Sequence, residues 1–75
     1  MRVSKMASDN MMTWLGSGLA QRREEAGLTP RQLASKLHLK TDAIYQIEVG
    51  EYELTVRELY AIVRALDAKL SDIFR

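Results

Sequence analysis

The sequence predicts an all-α fold, a compact bundle of five short helices, and three observations carry that prediction. Apolar residues recur at the spacing of a helix face rather than alternating as they do in a strand. Thr29 with Gln32, and Thr55 with Glu58, have the spacing of capping boxes, and each pair stands at the start of an apolar-periodic run. Gly27 and Gly50 follow two of the runs, where a residue able to take the left-handed conformation ends a helix.

Residues 1–9 show neither a clear cap nor a helical repeat and are expected to fray, so the domain is read as residues 10–75. The first helix places Met12, Leu15 and Leu19 on one stripe, with Ala26 closing it and Gly27 as its stop. Gly16 and Gly18 within it each cost roughly 1 kcal/mol relative to alanine, which points to close packing or a loose first turn. Trp14 reads first as a plug in or at the edge of the core and, beside Met11, also as part of a protein-binding patch.

The stretch Thr29–Gly50, TPRQLASKLHLKTDAIYQIEVG, reads as two short helices meeting at a tight turn. Thr29 caps the first, and Pro30 suits the first helical position, where its missing N–H would lack a partner anyway. Leu33, Ala34 and Leu37 form its inner face. The spacing breaks at His38-Leu39-Lys40, and a left-handed conformation at His38 fits that turn. The second helix runs from about Thr41 to Val49, with Ile44 and Ile47 turned inward.

That period leaves Asp42, Tyr45, Gln46 and Val49 on one outward stripe, with Thr41 beside it at the amino end. Any solvated amphipathic helix has such a face. A helix whose amino end projects can also enter a DNA major groove, where Gln46 suits an adenine edge and Thr41 or Tyr45 a thymine methyl. Asp42 can accept from a cytosine amino group or, in the first turn, stabilise the positive end of the helix dipole; the dipole role is the simpler. Arg31, Lys36 and Lys40 cluster around the turn, where backbone phosphates would lie.

Beyond Gly50, residues 51–54 form a loop and Thr55 opens a fourth helix whose inner face is Leu59, Ile62, Val63 and Leu66. After a turn at Asp67-Ala68, Leu70-Ser71-Asp72-Ile73-Phe74 makes one turn of a fifth helix. Its apolar residues either close the core under the first helix or build a two-fold interface.

The run Leu15-Gly16, Leu19, Arg23-Glu24-Glu25-Ala26-Gly27-Leu28-Thr29, Leu33-Ala34, Lys36-Leu37, Ile44, Ile47-Glu48-Val49-Gly50, Leu59, Ile62, Ala65-Leu66 and Leu70 resembles the lambda-repressor and Cro type of helix-turn-helix domain. The resemblance implies a partly buried ion pair between Arg23 and Glu48, and a dimer interface around Leu70, Ile73 and Phe74. It departs from the family at Pro30, where many members carry a phosphate-contacting glutamine. It departs again at Val49, where a polar or basic residue is common.

Length and composition set the outer limits. The 75 residues make one small domain with little core to spare, so dimerisation would help it. The absence of cysteine removes disulfides, thiolate zinc sites and cysteine nucleophiles. No apolar run approaches a membrane span and no signal-type apolar segment opens the chain, so a cytoplasmic protein without membrane contact is expected. A single histidine, scattered carboxylates and no phosphate-cradling glycine loop argue against an enzyme and against any cofactor or metal.

Charge weighs against simple DNA binding. Eleven basic and ten acidic residues leave a net charge of +1, and Glu51 and Glu53 follow the reading helix. Two functions remain. The first is a transcriptional regulator of phage-repressor, restriction-modification-controller or antitoxin type, binding a pseudo-palindromic double-stranded operator as a homodimer. The second is a protein-interaction module on the same scaffold that uses Trp14, Tyr52, Leu54 or Phe74 to hold a protein partner.

Overall fold

A computed structural model describes the backbone of residues 2–73 and the side chains of residues 11–73. Five helices occur among them: α1 (Arg2–Glu25), α2 (Pro30–Leu37), α3 (Thr41–Glu48), α4 (Val56–Ala65) and α5 (Leu70–Ile73). Helix α1 starts earlier than the pattern predicts. Its backbone is helical through the segment expected to fray, and no glycine or proline interrupts the chain before Gly16.

The local signals account for the other helix starts. Thr29 accepts from the Gln32 N–H at 3.1 Å while the Gln32 side chain accepts from the Thr29 N–H at 2.8 Å, and Thr55 and Glu58 repeat the arrangement before α4. Helices α1 to α4 all stop in the same way. At Gly27, His38, Gly50 and Asp67 the chain turns to positive φ. Each of these residues donates to a carbonyl three residues back, and the next residue donates to one five back, as Leu39 does to Ala34 and Glu51 to Gln46.

The core is formed by Leu15 and Leu19 of α1, Leu33 and Ala34 of α2, Ile44 and Ile47 of α3, Ile62 and Val63 of α4, then Leu66 and Ile73. Leu19 and Ile44 are the most completely enclosed. One expectation for α1 fails. Ala26 is exposed, and the buried stripe that starts at Leu15 and Leu19 continues at Arg23, one helical step of four further on. Ile73 closes the bottom of the core against Gly18, where an added Cβ would stand 3.3 Å from the Ile73 side chain.

Candidate nucleic-acid interface

Helix α3 is only eight residues long and cannot hold its own shape in water, so its neighbours must fix it. Ile44 and Ile47 seat it in the core. Its carboxyl end is held from α1: Arg23 Nε donates to Glu48 Oε2 at 2.6 Å and Nη2 to Oε1 at 3.3 Å. Arg23 Nη1 also donates to the Leu28 carbonyl at 2.6 Å, tying the α1–α2 turn into the same site. The Glu48 hydrogen bond raises the Arg23 pKa above its ordinary value despite the opposing effect of burial.

Two glycines bring α1 and α3 closer than side chains would permit. A Cβ on Gly16 would overlap the Ile47 carbonyl oxygen and lie 2.9 Å from that of Glu48. A Cβ on Gly50 would lie 2.7 Å from the Thr13 Cα, and the φ of +83° there already favours glycine. The close packing that the glycines of α1 suggest is therefore real at Gly16, and its partner is the carboxyl end of α3.

With that end anchored, α3 presents Asp42, Tyr45 and Gln46 to solvent, followed by its C-cap Val49, with Thr41 half-buried at the amino end. Tyr45 is 54% and Val49 59% exposed, a large apolar fraction for one short helix. The amino end differs from those of α2 and α4: its N-cap is Lys40, which makes no side-chain capping bond, and Asp42 lies in the first turn. First-turn amides thus lack a side-chain acceptor, while the Asp42 carboxylate complements the helix dipole.

The cations expected at phosphates separate into two settings. Arg31 in the first turn of α2 and Lys40 at the N-cap of α3 are exposed beside the motif. Lys36 lines a groove with residues of α4 and none of α3. Glu51 and Glu53 are exposed in the loop after α3. Tyr52 and Leu54, from the same loop, pack against the core, and the Tyr52 hydroxyl donates to Glu58 Oε2 at 3.0 Å.

The helix-turn-helix family profile matches residues 19–73, which begins inside α1 and takes in everything after it. The chain belongs to the Cro/C1-type helix-turn-helix family. An uncharacterized HTH-type transcriptional regulator of Archaeoglobus fulgidus is 33% identical over 52 residues, which cover 69% of this chain and 74% of that protein. The crystal structure of the clp gene regulator ClgR from C. glutamicum superposes with a TM-score of 0.80 at 27% identity, covering 83% of this chain and 80% of the other. Membership places this helix-turn-helix protein among DNA-binding transcription regulators rather than enzymes.

Of the residues expected at a helix-turn-helix dimer interface, Ile73 is 5% exposed in the core while Leu70 is 38% exposed; Phe74 lies outside the described residues. Trp14 is half-exposed at a cleft of about 290 Å³ between α1 and α5. Arg22 spans the same cleft, with Nη1 2.9 Å from Glu25 and Nη2 3.9 Å from Asp72. Among the described residues no cluster of metal-ligating side chains occurs and no helix is long and apolar enough to cross a membrane. Sequence patterning alone gives no role to Arg57, Tyr60, Ala61 and Arg64, although their spacing marks them as one stripe of α4 opposite its apolar face.

Proposed function

We propose that the protein regulates transcription by reading a pseudo-palindromic operator as a homodimer, with α3 of each copy in a major groove. The observation that carries this is the combination of an anchored α3 carboxyl end, through Arg23, Glu48 and Gly16, with an outward face of Thr41, Asp42, Tyr45, Gln46 and Val49. A reading helix must be rigid where it is held and must offer hydrogen-bonding and methyl-contacting groups where it faces bases. Gln46 offers an amide for an adenine edge, and Thr41, Tyr45 and Val49 offer groups that suit thymine methyls. Arg31 and Lys40 meet flanking phosphates.

The acids Glu51 and Glu53 lower affinity per subunit, and Pro30 offers a phosphate neither a side-chain donor nor an N–H. Two linked subunits recover that loss by avidity. The exposed Leu70, together with Phe74, provides the two-fold contact, while Ile73 supports it from within each core. Selection of duplexes from a random pool by the purified protein tests the proposal. It should enrich an inverted repeat whose half-sites lie about 34 Å apart, one turn of DNA. A pool that yields no enriched sequence refutes operator reading.

A further inference from the structure

Helix α4 has two faces. Leu59, Ile62, Val63 and Leu66 point into or against the core, while Arg57, Tyr60, Ala61 and Arg64 form the opposite stripe, exposed throughout. That stripe meets Lys36 and His38 at the end of α2, and together they line a groove of about 610 Å³ floored by Leu37, Ala61 and Ala65. No carboxylate lines it. Among the described residues none of Lys36, Arg57 and Arg64 has an ion-pair partner, although the chain as a whole is almost neutral. The exposed acids nearest the motif, Asp42, Glu51 and Glu53, lie on α3 and its following loop and not in this groove, which the cations Lys36, Arg57 and Arg64 surround.

We propose that the groove between the end of α2 and the outer face of α4 binds an acidic segment of a protein partner, with carboxylates on either side of an apolar side chain. The cations at Lys36, Arg57 and Arg64 match the carboxylates, and the exposed ring of Tyr60 beside Ala61 and Leu37 receives the apolar residue. Two observations favour a peptide over a DNA backbone. The lining contains no residue of α3, and a sugar–phosphate chain, whose exposed surface is dominated by charged oxygens, carries no apolar side group to fill the floor. Operator and partner then occupy separate surfaces of one molecule, so a regulator bound at its site can still recruit the partner.

The test uses the whole chain and a labelled synthetic peptide in which glutamates flank one phenylalanine, followed by fluorescence anisotropy. The peptide should bind, and amide resonances of residues 57–64 should shift while those of residues 41–49 stay in place. Arg57→Gln with Arg64→Gln should weaken peptide binding roughly tenfold, Arg57→Glu with Arg64→Glu further, and Tyr60→Ala should also weaken it. All these side chains are exposed, so the melting temperature should hold, and duplex DNA should neither displace the peptide nor lose affinity to the variants. The inference is overturned if the peptide fails to bind, or if duplex DNA competes for the groove. It is equally overturned if the glutamine pair weakens only self-association in sedimentation. Operator reading by α3 would survive each of those results, since none of these substitutions touches it.

Discussion

Arg23 and Glu48 stand 25 positions apart in the chain and meet through two hydrogen bonds, with their side chains only 10% and 12% exposed. The pair joins the last turn of α1 to the last turn of α3. Removing one member leaves the other charged in a site that excludes water, which costs far more than the pair contributes as a unit. Glu48→Ala should therefore destabilise by about 3 kcal/mol or more, a large part of what so small a domain has. Glu48→Gln, which keeps the shape and one acceptor, should lose less. Urea denaturation midpoints that match wild type for both would show that the contact carries no stability.

The second prediction separates steric contact from backbone strain. Gly16 and Gly27 are both on or next to α1, but a Cβ on Gly16 runs into the backbone of α3, whereas one on Gly27 meets nothing within 4 Å. Gly27→Ala should cost only the left-handed penalty, about 1 kcal/mol. Gly16→Ala gains about 1 kcal/mol of helix propensity and should still lose about 4 kcal/mol or more, because neither backbone can yield without moving α3. Comparable thermal shifts for the two variants would contradict the close approach.

What the sequence made legible was local. Capping boxes involve residues three apart, and the stops at Gly27, Gly50 and His38 depend on one residue's own conformation, so each can be seen without knowing the fold. Periodicity extends the α1 stripe to Ala26 because an arginine looks like a surface residue. Its burial becomes intelligible only once Glu48 and the Leu28 carbonyl are beside it, and the family resemblance rather than periodicity pointed there. Ile73 shows the same limit: one apolar residue near the end of the chain suits a core or an interface equally, and the notch at Gly18 decides for the core. The basic stripe of α4 was legible as spacing but acquires meaning only when α2 brings Lys36 and His38 to it.

Two helix stops use residues that pay a conformational cost. His38 at φ 58° and Asp67 at φ 53° occupy positions where glycine is unstrained. Both side chains are exposed, so little packing is lost on removing them. His38→Gly and Asp67→Gly should each stabilise by about 0.5–1 kcal/mol, net of the extra entropy glycine gives the unfolded chain. Melting temperatures that fall for both would mean the side chains hold the turns in some other way.

Glu58 predicts an acid dependence. Its pKa is lowered first by the backbone N–H of Thr55 and then by the Tyr52 hydroxyl, both of which favour the ionised form. The folded value is below the unfolded one, so between them the unfolded chain holds more protons and stability rises with pH. The contribution is complete above the unfolded carboxylate pKa and is lost as pH falls through the folded one. Tyr52→Phe removes the second donor and should move the Glu58 titration, followed by carboxyl chemical shift, upward toward the ordinary value. An unchanged titration would mean that the hydroxyl does not reach the carboxylate in solution.

Reading and anchoring can be told apart by which DNA each substitution affects. Gln46→Ala or Thr41→Ala should cost on the order of 1–3 kcal/mol on the selected operator and relax the choice of base there, with little effect on unrelated duplexes, and Tyr45→Ala should behave alike if its ring meets a thymine methyl. Arg31→Ala and Lys40→Ala should weaken every sequence and each flatten the salt dependence by about one unit, because a phosphate contact releases a counterion whatever the bases are. Lys36 is the informative intermediate. It belongs to the same basic cluster in sequence but lines the groove with α4, so Lys36→Ala should change DNA affinity far less than Lys40→Ala while weakening the acidic peptide. If Gln46→Ala and Lys40→Ala instead lose affinity equally on all sequences, α3 tracks the backbone without reading bases, and regulation would have to draw its specificity from a protein partner.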